Sequence, residues 1–436
     1  MTDSVNIREL SLDCLMEILE KQQYSHLVLR MVLEKYQYLS KQERAFLTRL
    51  TEGTLERMIE LDYIINAFSK TKVRKMKPLI RNLLRMSVYQ LKYMDSIPDS
   101  AVCNEAVKLA KKRGFSQLSG FVNGVLRNIA RSEDPVEKME KEKDPVTSLE
   151  VRYSVPGWMI EVWTKCYGSE KTESILKAFQ EEKPIAIRTN LNKCSPEQLS
   201  QRLQEEGVWK VEPMEELSYG FYISGVDYLN RLESFVDGWF YVQDKSSMMV
   251  AEIAGAKPGD TVIDVCAAPG GKSCHIAQKV GATGQVIARD LTEYKVGLME
   301  ENRIRYGLDN MIVEQQDATE FDKASEEKAD ILICDLPCSG LGVIGRKKEI
   351  RYRMNPKQQK ELVQLQRKIL ETVHTYVKRG GTLLYCTCTI HPDENEGNVS
   401  WFLEQYPEFF LESMQQRLPD EGVQDGFFIA KFIRKE

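Results

Sequence analysis

The sequence predicts a multidomain chain: an all-α helical bundle, then a small α+β unit, then an α/β domain built on a mostly parallel sheet. Three observations carry this. The 436 residues exceed what one hydrophobic core fills. Apolar residues recur at helical spacing through the first 131, and from about Trp239 short β-branched runs alternate with helical stretches.

The bundle is expected over residues 1–131. In LIRNLLRMSVYQLKYM, residues 79–94, Ile80, Leu83, Leu84, Leu91 and Met94 share one helical face, and Pro78 marks the start. After the turn SIPDS, the stretch AVCNEAVKLAKKRG runs to Gly114, a residue suited to the left-handed turn that stops a helix. SQLSGFVNGVLRNIAR supplies another apolar face. The basic run KTKVRKMK, residues 70–77, falls between helices, where it serves either as a solvated loop or as a phosphate contact.

Residues 132–146, SEDPVEKMEKEKDPV, are almost wholly charged or Pro and mark a linker. In the α+β unit, 147–235, PIAIRTN reads as a strand, CSPEQLSQRLQEEG as a helix from Ser195 and Pro196 to Gly207, and VWKVE and GFYISG as two strands. The last domain, 236–436, carries TVIDVCA, GQVIARD, MIVEQQD, ADILICD and GTLLYCT as strands separated by helices. In such sheets ligands bind beyond the carboxyl ends of the strands.

Composition narrows the function. The net charge of −5 hides an asymmetry: residues 1–131 hold 22 Lys+Arg against 14 Asp+Glu, near +8, and the remainder is near −13. A basic module inside an acidic protein suits a polyanion partner. The ten cysteines are scattered and the four histidines sit beside no cysteine pair, so free thiols and no structural metal are expected. No apolar stretch has the length of a membrane span, and the start MTDSVNIRELSLDCL is neither a signal peptide nor a lipidation site. A cytoplasmic monomer without membrane contact is the expectation.

The motifs all fall at predicted strand ends. After TVIDV comes CAAPGGKSCHIAQ, in which Gly270 and Gly271 permit close backbone approach and the following helix N-terminus offers donors. Its spacing is neither that of a P-loop nor G-x-G-x-x-G. Asp290 closes the second strand, where an acid accepts from two ribose hydroxyls, and Asp317 closes the third, within reach of an adenine amino group. Each alone is equally a strand-end solubilising residue; together they favour an adenosine-bearing ligand.

Two resemblances extend this reading. IPDSAVCNEAVKLAKKRG, FVNGVLRNIAR and RNLLRMSVYQLKYM resemble the NusB antitermination family, which implies an RNA-binding helical bundle. DVCAAPGGKS, DLPCSGLGVIGRK, YCTCTIHPDENEGN and DGFFIAKF, in this order, resemble the S-adenosylmethionine-dependent RNA cytosine carbon-5 methyltransferases of NOL1/NOP2/Sun type. The whole chain is similar to the RsmB family, which acts on small-subunit (16S) ribosomal RNA. The resemblance implies a Rossmann-like class I methyltransferase domain and an RNA-recognition-like middle unit. It assigns Cys266, Ala267, Ala268, Pro269, Gly270, Gly271 and Lys272 to the cofactor loop, with Asp290, Asp317 and Asp335 completing the site. Departures are DLPC for DAPC, Arg289 before the ribose acid and TCT for TCS; none removes a reacting group.

Two thiols suit that chemistry. Carbon 5 of cytosine is a poor nucleophile until a thiolate adds to carbon 6 and turns the ring into an enamine-like nucleophile. A free thiol, with a pKa of about 8.5, needs an electropositive, partly exposed setting to ionise. By resemblance Cys388 is the nucleophile and Cys338 assists product release, while Thr387 and Thr389 are expected as donors to the Cys388 thiolate. Asp335 is expected on the pyrimidine edge, and Lys272 either near the base or holding the loop. Cys334 and Cys386, inside apolar strands, are expected as core. GRKKEIRYRM, residues 345–354, is either an RNA contact or an exposed connector. Two other classes remain open at this level: an RNA-binding assembly factor with a vestigial catalytic domain, and a nicotinamide-dependent oxidoreductase, which the glycine spacing disfavours.

Overall fold

The structure, a computed structural model, describes residues 5–132, 136, 144–226 and 228–436, so most of the charged linker expected at 132–146 lies outside the described residues. The chain divides into two compact units, Met1–Gln180 with Ile344–Arg353, and Glu181–Val343 with Met354–Glu436.

The first unit is helical. Its elements are α1 (Ile7–Leu19), α2 (Ser25–Lys35), α3 (Lys41–Glu56), α4 (Met58–Phe68), α5 (Pro78–Tyr93), α6 (Asp99–Lys112) and α7 (Ser119–Arg131). Helix α5 begins with Pro78 in its first turn and buries Ile80, Leu83 and Leu84 as the spacing predicts. It also buries Asn82 and Arg85, which is tolerable because each is paired: Arg85 clasps Asp62 through two bonds of 2.7 and 2.6 Å, and Asn82 donates to Glu20 at 2.9 Å. Between α4 and α5, the basic run is pinned by buried Val73 and Met76 and leaves Lys70, Lys72, Arg74, Lys75 and Lys77 exposed. Three further helices, α8 (Pro145–Tyr153), α9 (Gly157–Tyr167) and α10 (Ser169–Ala178), belong to this unit, with Trp163 wholly buried.

Residues 344–353 complete the helical unit. The centre of GRKKEIRYRM is therefore not an exposed connector: Arg351 has no exposed surface, and its guanidinium donates to the carbonyls of Ile344, Tyr153 and Ser154. Glu349 accepts from the Ser25 N–H at 3.0 Å and hydroxyl at 2.7 Å, and Arg353 donates to the carbonyls of Ile18 and Gln23. Buried ions persist only where acceptors and donors are supplied in this way.

The second unit holds two sheets. The smaller is antiparallel, in the order β2-β3-β1-β4, from β1 (Ile185–Thr189), β2 (Lys210–Pro213), β3 (Gly220–Ser224) and β4 (Phe240–Val242). Its helix, Pro196–Glu205, starts on a Ser195/Gln198 capping box and is followed by Gly207 at φ 82°. The larger sheet runs β10-β11-β9-β8-β5-β6-β7, from β5 (Thr261–Asp264), β6 (Gln285–Asp290), β7 (Met311–Gln315), β8 (Ala329–Asp335), β9 (Val377–Thr387), β10 (Phe409–Arg417) and β11 (Phe427–Arg434). Strands β5 to β9 are parallel; β11 and β10 close one edge antiparallel. Alternating residues feed two apolar clusters on opposite faces: Val262, Ile331, Ile333 and Cys386 on one, Ile263, Leu332, Cys334 and Tyr385 on the other. Cys334 and Cys386 are thus core residues, with no exposed surface.

Candidate active site

The five parallel strands of the larger sheet end on polar residues at one edge: β5 on Asp264, β6 on Asp290, β7 on Gln315, β8 on Asp335 and β9 on Thr387. The chain reverses between β5 and β8, neighbours in the sheet, and the crevice at such a reversal is where parallel sheets take ligands.

The loop after β5 is shaped through its backbone. The Ala267 N–H donates to the Arg289 carbonyl at 2.8 Å, the Gly270 N–H to the Ala267 carbonyl at 2.7 Å, and Ala268–Pro269 is cis. Gly270 sits at φ 100°, a conformation a side chain would strain, and Gly271 opens the helix Gly271–Val280. Cys266 faces the sheet, and burial pushes its thiol up. Asp264, completely buried, accepts from the Ser273 hydroxyl at 2.6 Å through one oxygen, while its other oxygen has no partner. Burial, only partly countered by Ser273, pushes this carboxyl up to about 7.

Asp290 fastens that loop to β6. One of its oxygens accepts from the Ala268 N–H at 3.0 Å, the other from the Leu291 N–H at 2.8 Å and the Lys295 ammonium at 2.9 Å. Asp317 lies two residues past β7 and accepts from the N–H and hydroxyl of Thr319, which hold its carboxyl below the usual range. Arg289 points to the other side of its strand, where it meets Glu314 at 2.8 Å and Asp322 at 3.0 Å, so this departure does not reach the Asp290 carboxylate.

At the end of β8, Asp335 receives the Lys272 ammonium at 2.6 Å, and that ammonium lies 5.2 Å from the centre of the Phe427 ring. Burial alone would depress Lys272; the adjacent carboxylate outweighs it and keeps the side chain charged. Cys338 and Cys388, both half-buried, bring their sulfurs to 3.2 Å. The hydrogen bond to Cys388, followed by burial, raises the Cys338 thiol well above its ordinary value, and either sulfur can serve as the donor of the pair.

The two threonines beside Cys388 do not act as expected. Thr387 donates to Asn395 at 2.6 Å, and the Thr389 hydroxyl meets that of Ser339 at 2.8 Å. Both belong to a buried network that composition conceals, because PDENEGN has the make-up of a surface loop. Glu394, Asn395 and Asn398 have no exposed surface. Glu394 accepts from the Ser339 hydroxyl at 2.5 Å, the Ser339 N–H at 2.9 Å and the Gln366 amide at 3.0 Å. Burial raises its carboxyl, and these donors pull it back. The backbone closes the same arrangement: the Gly342 N–H donates to the Cys388 carbonyl at 3.0 Å, and a Cβ on Gly342 would lie 2.1 Å from the Gly426 carbonyl oxygen.

The donor set fits an adenosine-bearing ligand with a charged tail. A glycine-lined backbone loop, acids following consecutive strands and the orphaned Asp264 oxygen offer complementary partners. Among the described residues no three His, Cys, Asp or Glu side chains cluster as metal ligands, and no helix is long and apolar enough to cross a membrane.

Comparison with known proteins gives a consistent pattern along the chain. Residues 252–433 match the 16S rRNA methyltransferase RsmB/F family, 5–131 the NusB family, and 155–226 the ferredoxin-like domain of RsmF/B-like methyltransferases. The chain is similar to the probable ribosomal RNA small subunit methyltransferase B of Bacillus subtilis (strain 168), 37% identical over 99% of both chains. Ribosomal RNA small subunit methyltransferase B of Escherichia coli O1:K1 / APEC is 29% identical, again over 99% of both. The crystal structure of PH0851 superposes with a TM-score of 0.85 at 26% identity, covering 99% of both chains.

Proposed function

This chain belongs to the ribosomal RNA small subunit methyltransferase B family, and on that premise we propose that it methylates carbon 5 of a cytosine in 16S rRNA through a transient bond to Cys388. The observation that supports the covalent route is the pair of sulfurs 3.2 Å apart beside the Lys272–Asp335 ion pair.

Bound S-adenosylmethionine supplies a methyl carbon carried on a sulfonium. The backbone of residues 266–272 and the carboxylates of Asp290 and Asp317 would hold it, with the ribose hydroxyls on Asp290 and the adenine amino group on Asp317. Cys388, as thiolate, adds its electron pair to carbon 6, and ring nitrogen 3 takes a proton from the Lys272–Asp335 pair, which holds one. Asp335 accepts from the 4-amino group and fixes the ring edge. Carbon 5, made nucleophilic by the Cys388 adduct, would then take the methyl group that bound S-adenosylmethionine supplies, the bonding electrons staying with the departing thioether. The carbon 5 proton passes to water, the ring double bond returns, the nitrogen 3 proton goes back to the pair, and Cys388 departs as thiolate. Cys338, its sulfur 3.2 Å from that of Cys388, would donate its S–H to the thiolate and so stabilise both attack and departure.

A base within rRNA must be turned out of its stack to meet these groups. Residues 1–131, near +8 and carrying the exposed cations of the run 70–77, supply RNA backbone contact, and the four domain segments drawn from the sequence divide the work: bundle, linker, recognition unit and catalytic domain. The reading places the enzyme in the cytoplasm as a monomer.

The test is an rRNA fragment carrying 5-fluorocytidine, from which fluorine cannot leave as a proton does. Incubated with S-adenosylmethionine, the protein is expected to form a covalent RNA adduct that peptide mass spectrometry places on Cys388, and Cys388→Ala to lose both adduct and methyl transfer while still binding cofactor. An adduct on another residue, or methylation by Cys388→Ala at the wild-type rate, overturns the assignment.

A further inference from the structure

We propose that Glu394 is a positioning residue of the transfer reaction: buried beneath both thiol loops, its carboxylate fixes the spacing of Cys338 and Cys388 through Ser339 and Thr389. The inference rests on the cysteine reading above.

The argument is one of hydrogen-bond accounting. Ser339 follows Cys338 and Thr389 follows Cys388, and their hydroxyls are 2.8 Å apart. Two hydroxyls alone share a bond in either direction and leave both side chains free to rotate. Glu394, as a carboxylate, only accepts. It takes the Ser339 hydroxyl proton at 2.5 Å, so Ser339 has none left for Thr389, and Thr389 must donate to Ser339. The Thr389 oxygen in turn accepts from the His391 N–H at 3.2 Å. One direction therefore runs from His391 through Thr389 and Ser339 to Glu394, and it crosses from the loop of one thiol to the loop of the other.

The far end of this chain is equally fixed. The second Glu394 oxygen accepts from the Ser339 N–H at 2.9 Å, so the backbone beside Cys338 is held as well as its neighbour's hydroxyl. Gln366 donates to Glu394 at 3.0 Å and to the Pro337 carbonyl at 2.9 Å, gripping the residue on the other side of Cys338. The Glu394 carbonyl accepts from the Tyr385 hydroxyl, and Tyr385 lies in β9, three residues before Cys388. Ser339, Thr389 and Glu394 are 2%, 0% and 0% exposed, so water cannot substitute for a missing partner. The effect of the three is on where the sulfurs stand.

Full-length protein is assayed in single turnover with S-adenosylmethionine and rRNA, and in parallel with the 5-fluorocytidine RNA. Glu394→Ala is expected to slow methyl transfer and adduct formation about 10- to 100-fold, the penalty of a misplacement near 1 Å, with RNA and cofactor affinities changed less than about twofold. Glu394→Gln, which still offers an oxygen to the Ser339 hydroxyl, is expected to recover at least a third of that loss on a logarithmic scale. Should Glu394→Ala not fold, Thr389→Val and Ser339→Ala cut the same chain from its other members: each is expected to slow transfer, and the double variant to be no slower than the worse single one. Independent, additive effects, or wild-type rates in Glu394→Ala, overturn the proposal, as does a loss carried wholly by RNA or cofactor affinity. A wild-type protein that forms no Cys388 adduct sinks the cysteine reading beneath it; a wild type that forms one at the rate of Glu394→Ala sinks only the positioning role.

Discussion

The loop after β5 and the two loops that carry the thiols differ in how deeply their side-chain ties are buried. Residues 266–272 are placed by main-chain bonds, by glycines that leave the backbone open, and by partly exposed side-chain ties: Asp290 to the Ala268 N–H, Asn302 and Tyr241 to the Pro269 carbonyl, and Asp335 to Lys272. The thiol loops are placed by buried side chains reaching across some 50 residues of sequence, from Ser339 to Thr389 and Glu394. A ligand that enters and leaves needs accessible N–H groups, which backbone provides. Two sulfurs that must keep a fixed spacing, as the proposed mechanism requires, need locked rotamers, which buried packing and satisfied hydrogen bonds supply.

Glycine substitutions give the largest contrast. A Cβ on Gly342, in a thiol loop, would sit 2.1 Å from a backbone oxygen, whereas one on Gly271, in the loop after β5, would meet the Tyr241 side chain at 3.3 Å and beyond. Gly342→Ala is expected to cost about 3 kcal/mol in urea unfolding and Gly271→Ala less than about 1 kcal/mol; equal costs would break the contrast. Next in size, Asp290→Ala removes a carboxylate that ties the loop and is proposed to hold the ribose, and calorimetric titration is expected to show S-adenosylmethionine binding weakened about 10- to 100-fold. At saturating cofactor the 5-fluorocytidine adduct should still form on Cys388, since the thiol loops do not lean on Asp290; its loss would show the two regions to be one.

A pH dependence, spread over several units, sharpens the comparison further. Asp264 ionises near 3.8 in the unfolded chain and near 7 in the fold, so between those values the native state keeps a proton the unfolded state has lost. Its contribution to stability is present at low pH and is lost as pH rises through this window, with a slope of at most about 1.4 kcal/mol per unit. Asp264→Asn should remove that slope. Urea midpoints of the two proteins that keep a constant difference across the window would contradict it.

What sequence reveals here follows the reach of each interaction. Strand and helix ends are legible because their signals are local, as with the Ser195–Pro196 start, Gly207 and the alternation that buries Cys334 and Cys386. The positions Asp290, Asp335, Cys338 and Cys388 stand out because each follows a β-branched run, and the structure gathers them at one sheet edge. The partners of Thr387 and Thr389 were not legible, because a bond between residues 339 and 389 leaves no periodic mark. PDENEGN misleads for the same reason: acids and amides look solvated until their distant donors are in place. Arg351 is the extreme case, a cation in a basic run whose acceptors come from two other stretches of chain.

That arginine also has a consequence for birth of the protein. Its carbonyl acceptors at Tyr153 and its own side chain are separated by 198 residues, so during translation, at about 5–20 residues per second, roughly 10 to 40 seconds pass between their emergence. Through that interval the nascent amino-terminal half carries an unfilled slot, with Ser25 awaiting Glu349. A fragment cut at residue 180 would keep the gap for good, and circularly permuting the chain to bring 344–353 forward would close it first.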